Sequence, residues 1–272
     1  TGLGLIANRL VNDYILAWRP EFSSKVVARY DFSNPTSTSN SIDSVDNVVN
    51  TGRNLTLTHN AGTKATDNVA SINSIPVASF ESNTELVTTD ALLGNMLNTE
   101  DEFSYFIVFK PDGNNSSYSN TTDRFIFKAG NSVGIEYKST DHHSQGATVN
   151  RRKLHFNGFE ALNLGVNTLD EVYLAEFSRK KGYNLSFQTL LTVRLNGKEV
   201  HQKYLDDGNI GAEQLTVGGI KMDVAEIVVA NEVLTTAERQ AIEGYLARKW
   251  GKIADLPANH PYVSEDPVRS LT

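Results

Sequence analysis

Residues 226–251 read EIVVANEVLTTAERQAIEGYLARKWG, and residues 256–262 read LPANHPY. Val224 to Ala230 is a β-branched, apolar run of strand character. Thr235 stands where it can cap a helix, and Glu238 is placed to reach back and complete a capping box. Ile242, Leu246 and Lys249/Trp250 then recur at helical spacing, with Ala241 and Tyr245 beside them. Gly251 is placed to end the helix, and a Pro-containing tail follows. One well-signalled helix behind a long β-rich chain needs a sheet to lie on, and that requirement limits the fold.

Upstream, the strongest strand is Phe103 to Lys110, FSYFIVFK. Phe103, Tyr105, Ile107 and Phe109 share one face, while Phe106 and Val108 occupy the other. A strand apolar on both faces is central and covered on both sides. Two Asn-Gly pairs mark hairpins, because that dipeptide accepts the positive φ angles of a type I′ turn. Asn157-Gly158 joins Leu154–Phe156 to Phe159, and Asn196-Gly197 joins Thr192–Leu195 to Lys198–Tyr204. Further strands are expected at 26–32, 55–58, 77–80, 124–128, 133–138, 171–177 and 215–217. The Ser/Asn/Asp-rich stretch 34–50 reads as a long surface loop, and 90–97 as a helical turn. About a dozen short strands with turn signals between them indicate a two-sheet sandwich.

The chain has 272 residues, 39% of them hydrophobic, with 10 Tyr and 12 Phe, enough for a large core. A formal net charge of −7 argues against a nucleic-acid partner, since phosphate binding needs a basic surface. The basic clusters Arg151-Arg152-Lys153 and Arg179-Lys180-Lys181 read as solvated loops or strand ends. No apolar run approaches the ~20 residues of a membrane span. The absence of cysteine removes disulfides, Cys-ligated zinc and thiol catalysis. Thr1-Gly2-Leu3-Gly4 opens without a basic region and apolar core, so no signal peptide is expected, and synthesis in a bacterial cytoplasm fits. Leu3, Ile6, Leu10, Tyr14 and Trp18 form one helical stripe closed by Pro20, either packed on its own domain or docking on another subunit.

Four segments carry a family resemblance. Val27-Ala28-Arg29-Tyr30-Asp31 resembles an opening strand, and Asn50-Thr51-Gly52-Arg53-Asn54-Leu55-Thr56 a following "GRNLT" stretch. Ile75-Pro76-Val77-Ala78-Ser79-Phe80 resembles a "PVVxF" strand, and LTTAERQAIEGYLARKWG with HPY a closing helix and tail. Together they resemble the concanavalin A-like lectin/glucanase superfamily, in the laminin-G-like form found in phage virion proteins. The resemblance implies an all-β fold, a two-sheet antiparallel jelly-roll sandwich with one C-terminal helix. It covers residues 25–262, leaving 1–24 as an N-terminal helical arm and 263–272 as a tail. It further implies a structural bacteriophage virion protein, either a capsid decoration protein or a tail component, located in the virion. Its partners would be virion proteins and further copies of itself. The alternative is a carbohydrate-binding module for host attachment; a glucanase or polysaccharide lyase comes third.

The superfamily includes glucanases, whose chemistry needs a pair of carboxylates. Glu171 and Glu176 fall on opposite faces of a regular strand, as do Asp223 and Glu226. Asp170 and Glu176 share a face but stand about 20 Å apart, where a retaining pair needs roughly 5 Å. No enzymatic activity is therefore expected. Asp206-Asp207-Gly208-Asn209, Asp112-Gly113-Asn114 and Asp141-His142-His143 read as turns or polar loops rather than metal sites, so no metal or cofactor is expected. For sugar binding, Tyr118 among Asn115, Asn120 and Asp123 offers a stacking ring beside hydrogen-bonding groups. His260-Pro261-Tyr262 reads as a pin for the tail, and Trp250 and Tyr245 as core.

Overall fold

The computed structural model describes residues 18–49, 56–59, 65–81, 84–88, 102–111, 125–129, 133–138, 152–156, 159–165, 171–182, 188–205, 215–219, 221–265 and 267. A short 3₁₀ turn, Pro20–Phe22, leads into β1 (Val26–Asp31), β2 (Thr36–Thr38), β3 (Ser41–Asp46) and β4 (Thr56–His59). Next come β5 (Thr66–Ile72), β6 (Ile75–Phe80), β7 (Glu85–Thr88) and β8 (Phe103–Pro111). They are followed by β9 (Phe125–Ala129), β10 (Val133–Lys138), β11 (Arg152–Phe156) and β12 (Phe159–Gly165). The last strands are β13 (Tyr173–Lys180), β14 (Thr189–Leu195), β15 (Lys198–Leu205), β16 (Leu215–Gly218) and β17 (Met222–Ala230). Helix α1 (Thr236–Lys249) and a 3₁₀ turn, Ile253–Asp255, close the fold.

All pairings among the described strands are antiparallel. In one layer β1 and β6 share an edge of β17, and β8, β13, β14 and β15 follow in order. In the other, the order runs β12, β11, β10, β9, β16, β7, β4, β3, β2. β5 pairs with β6 and touches β3 at Ser41↔Thr66, which links the layers. The result is the antiparallel jelly-roll sandwich expected from the sequence.

Strand β8 shows why the layers stack. Phe103, Tyr105, Ile107 and Phe109 enter the core between the layers, meeting Leu86, Leu215 and Val217 from the opposite side. Phe106 and Val108 point the other way, into a second core with Ile242, Leu246 and Trp250. A period of two thus feeds two cores from one strand. Full burial of an Ile or Leu side chain stabilises by about 1.5–3 kcal/mol, so α1 is held chiefly by this face.

The helix starts and stops as the sequence predicts. Thr235 accepts the Glu238 N–H, and the Glu238 carboxylate accepts the Thr235 N–H at 2.8 Å. At the far end Gly251 has φ +73°, while Lys252 N–H bonds Ala247 O at 2.6 Å and Gly251 N–H bonds Arg248 O at 3.5 Å, a Schellman closure. Gly244 sits inside the helix, where glycine costs about 1 kcal/mol relative to alanine. The reason is the tail: a Cβ at Gly244 would lie 2.6 Å from Tyr262 Cβ. His260 Nε2 lies 3.1 Å from Glu243 Oε2 in the same buried seam, so the HPY segment does pin the tail. Trp18, half-buried, packs on the helix-side core, and its N–H bonds Pro267 O at 3.0 Å.

Three expectations are corrected. Residues 34–50 are not one loop: β2 and β3 form a hairpin there, turned by Ser39 and Asn40 at φ 52° and 62°. Asn73 and Ser74 turn β5 into β6 in the same way, at φ 51° and 61°. Arg179 is not solvated but buried, since its odd position shares the inward parity of Ala175 and Phe177. Finally, Asp223 and Glu226 do not fall on opposite faces. A bulge at Ala225 turns Glu226 outward, toward α1, on the side where Asp223 meets Ser79. The expected Asn196-Gly197 turn is present at φ 49° and 75°. β11 and β12 pair through Phe156↔Phe159, with Asn157-Gly158 between them outside the described residues. Leu3, Ile6, Leu10 and Tyr14, and the expected turn at 90–97, also lie outside them.

Candidate functional site

The outward face of the β17 layer divides into a covered half and an open half. Under the C-terminal end of α1, Glu226 is completely buried and receives three donors. These are Arg29 Nε at 2.6 Å, Lys249 Nζ at 2.8 Å and Trp250 Nε1 at 2.9 Å. Arg29 also bonds Glu21 at 2.9 Å and Tyr245 Oη at 2.6 Å, and Lys249 bonds Asp31 at 2.5 Å. Burial pushes the Asp31 carboxyl up, but Lys249 and Ser33 outweigh it and hold the group below the usual carboxylate range. For Arg29 burial opposes the charge, yet Glu226, Tyr245 and Glu21 raise its pKa above the usual value. This network closes upon itself and has the character of a structural clasp.

The open half lies on β13, β14 and β15, beside the N-terminal end of α1. Cross-strand register sets three outward rows: Lys180–Leu190–Tyr204, Ser178–Thr192–Gln202 and Glu176–Arg194–Glu199. The alternation Leu191, Val193, Leu195 keeps the inward face apolar, so Thr192 and Arg194 must point out. On β15 a bulge at Val200 matters more. Val200 packs inward, and the register slips so that Gln202 and Tyr204, not His201 and Lys203, share the outward face.

A cavity of about 150 Å³ sits against these rows, walled across by Val233, Leu234, Thr236 and Arg239. Its chemistry is mixed. Ser178 and Thr192 are 6% and 5% exposed, yet no described group hydrogen-bonds either hydroxyl. Gln202 is exposed above them, and the Tyr204 ring is 47% exposed at the edge. Arg194 bonds Glu176 Oε2 at 3.2 Å through Nη1 and Glu199 Oε2 at 3.0 Å through Nη2. Arg239 spends only Nη1, on Glu243 at 2.7 and 2.9 Å, and no described acceptor meets its Nε or Nη2. Burial lifts the Glu176 carboxyl to about 7, with Arg194 and Arg239 pulling it down and Glu243 adding to the lift.

A second cavity of about 320 Å³ lies farther along the same layer. Thr66, Val69, Ser79, Lys110, Pro111 and Asp223 are among its lining residues. The Ser79 hydroxyl donates to Asp223 Oδ1 at 2.6 Å, and Asp223 stands opposite Lys110 in the register. Pro111 ends β8, and the chain continues from it into residues 112–124.

The sequence-predicted ligand residues Tyr118, Asn115, Asn120 and Asp123 fall in that segment, outside the described residues. So do Asp112-Gly113-Asn114, Asp141-His142-His143 and Asp206-Asp207-Gly208-Asn209. Among the described residues no cluster of His, Asp and Glu has the makings of a metal site. Of the carboxylates weighed for catalysis, Glu176 alone lines a cleft beside α1; Glu171 is exposed and accepts from Tyr173 Oη at 3.5 Å. Sequence reasoning missed Tyr204, Gln202, Thr192 and Ser178 as a group. The alternation of β14 could have flagged Thr192, but the bulge that turns Gln202 and Tyr204 outward has no sequence signature.

No family model matches this sequence, and no curated protein matches it. Solved structures do. Domain 4 of AbnA, a GH43 extracellular arabinanase from Geobacillus stearothermophilus solved with arabinotriose, superposes at TM-score 0.52 with 16% identity, over 79% of this chain and 96% of that one. A Trypanosoma rangeli sialidase mutant displaying trans-sialidase activity gives 0.52 and 11%, over 84% of this chain and 33% of that one. The binding domain of botulinum neurotoxin serotype D/C VPI 5993 gives 0.52 and 11%, over 84% and 53%. At these identities the likeness shows the fold alone, a two-layer antiparallel β-sandwich. The chain spans a third of the sialidase and about half of the toxin domain.

Proposed function

We propose that this chain is a carbohydrate-binding module without catalytic activity, and that the β13–β15 cleft receives the sugar. The observation that carries the reading is the pair of buried hydroxyls, Ser178 and Thr192, with no partner among the described residues, beside the exposed ring of Tyr204. Sugars present hydroxyls that both donate and accept and a C–H face that packs on an aromatic ring. Hydroxyls on largely buried residues that open onto a cleft and have no partner among the described residues are free to exchange hydrogen bonds with such a ligand. The arabinanase domain solved with arabinotriose supports the class of ligand. Catalysis at this cleft is disfavoured because, among the described residues, Glu176 is the one carboxylate lining it, and glycoside hydrolysis by the usual route needs two.

Glycan-array binding by the chain, followed by calorimetry on Tyr204→Ala and Tyr118→Ala, tests the reading. Loss of binding in Tyr204→Ala places the sugar at the cleft, and loss only in Tyr118→Ala moves it to the 112–124 segment. Polysaccharide cleavage that disappears in Glu176→Gln would refute the non-catalytic part.

The setting in which such a module works is a separate matter. The phage virion reading, as a capsid decoration protein or tail component, rests on the resemblance of the closing helix and tail. It is compatible with glycan binding, since a particle-bound module can adhere to a host surface. Unchanged incorporation into particles after deletion of residues 1–17 would count against a docking arm formed by Leu3, Ile6, Leu10 and Tyr14.

A further inference from the structure

The cleft holds more positive than negative groups at its mouth. Arg239 keeps one edge of its guanidinium unspent, and Lys180 lies on the rim. Thr236, at the first position of α1, forms part of the wall. The Thr235 cap accepts the Glu238 N–H, so the Thr236 and Ala237 amides remain as helix-start donors. A 14-residue helix adds partial positive charge there. The helix start alone would not make a site. What points to a ligand is that it opens onto Ser178 and Thr192, both nine-tenths buried and without a hydrogen-bond partner among the described residues.

The opposing charge is limited. Among the described residues Glu176 is the cleft's one lining carboxylate; it bonds Arg194 and also lies in the field of Arg239. Glu199 faces Arg194 from β15, while Glu243 is turned to Arg239 and His260. A neutral sugar would answer the hydroxyls but leave the free Arg239 edge and the helix-start amides unmatched. A carboxylate answers both, because a guanidinium fork and amide N–H groups match its two oxygens.

Resting on the glycan-binding reading above, we infer that the cleft takes a carboxylate-bearing saccharide, its acid group seated between Arg239 and the first turn of α1. The hydroxyls of the same or the next sugar ring then meet Ser178, Thr192 and Gln202, and Tyr204 takes a ring face. The acid gives the open edge of Arg239 an ion-pair partner, so affinity falls with added salt, as expected for a partly screened ion pair.

The test uses the full chain and two probe sets, uronate and sialate oligosaccharides, each beside its carboxyl-reduced counterpart, measured by calorimetry. Arg239→Lys keeps the charge opposite Glu243 but removes the fork, and thermal unfolding confirms that it folds. The inference expects an acidic probe to bind at least tenfold more tightly than its reduced form, and Arg239→Lys to erase most of that preference. Equal binding of acidic and reduced forms, abolished by Tyr204→Ala, would overturn the acid inference and leave the glycan reading intact. An acid preference untouched by Arg239→Lys would overturn the seat proposed here. No binding by any probe would overturn the inference and weigh against the glycan reading as well, and the glycan array then decides the latter.

Discussion

Two halves of one sheet face, separated by helix α1, treat their polar groups differently. Under the helix, Glu226, Arg29, Asp31, Lys249, Tyr245 and Trp250 answer one another's hydrogen-bonding capacity. On β13–β15, Ser178 and Thr192 are nearly as buried as residues and have no such answer among the described residues. Both halves obey the same alternation, and in each a bulge redirects side chains. At Ala225 the bulge delivers Glu226 into the clasp, and at Val200 it delivers Gln202 and Tyr204 to the solvent side. The difference shows that polar burial alone does not mark function. The proposed cleft is distinguished by hydroxyls that open onto it without a partner among the described residues, which a ligand can take up without breaking a bond of the fold.

The comparison can be broken most directly at Glu226. Glu226→Ala leaves Arg29 and Lys249 without their central anion, and truncating one member of a buried ion network costs about 3–5 kcal/mol. Urea unfolding at neutral pH should show that loss, while glycan affinity of the folded fraction stays within about twofold. A smaller cost with lost affinity would mean that the clasp and the cleft are one unit.

Glu176 gives the next largest effect, with a sign opposite to that of Asp31. Its folded pKa is raised to about 7, so its contribution to stability is full below the unfolded carboxylate value and is lost as pH rises through about 7. Asp31, held low, contributes above its unfolded value and loses that contribution as pH falls. Wild-type stability should therefore fall by about 2–3 kcal/mol from pH 4.5 to 7.5 through Glu176, and Glu176→Gln should lack that slope. Unfolding curves at several pH values check both limbs.

Gly244→Ala tests how firmly the tail fixes the helix over the covered half. Helix propensity favours alanine by about 1 kcal/mol, but the new Cβ meets Tyr262 at 2.6 Å. A net loss of about 1–3 kcal/mol is expected from overpacking, read as a lowered melting temperature. The smallest stability effect belongs to the open half. Thr192→Val replaces an unmet hydroxyl with a methyl group of similar size, so stability should change by less than about 0.5 kcal/mol. Sugar affinity should nevertheless fall about tenfold, and a large stability loss instead would assign the hydroxyl a structural role.

Much of the architecture was legible in the sequence. Phe103–Phe109 announced a strand buried on both faces, Asn196-Gly197 the β14–β15 hairpin, and Thr235, Glu238 and Gly251 the limits of α1. These signals are local, since they rest on side-chain parity, turn dihedrals and caps. The hairpins at Ser39-Asn40 and Asn73-Ser74 escaped because left-handed turns lacking glycine look like ordinary polar loop. The cleft escaped for a different reason. An unbulged Asn-Gly hairpin sets Thr192 opposite His201, whereas the observed partner is Gln202. One extra residue reverses every later side chain on β15, and whether it fits is decided by packing against the other layer, which no short window contains.

The bond between Trp18 N–H and Pro267 O brings two points 249 positions apart in the chain into contact (267 − 18). The sandwich is thus entered and left through a single doorway on its helix side. A unit with that geometry can be spliced into a surface loop of a carrier domain without stretching either, or rewired by joining the two points and opening the chain at an exposed turn such as Asn73-Ser74.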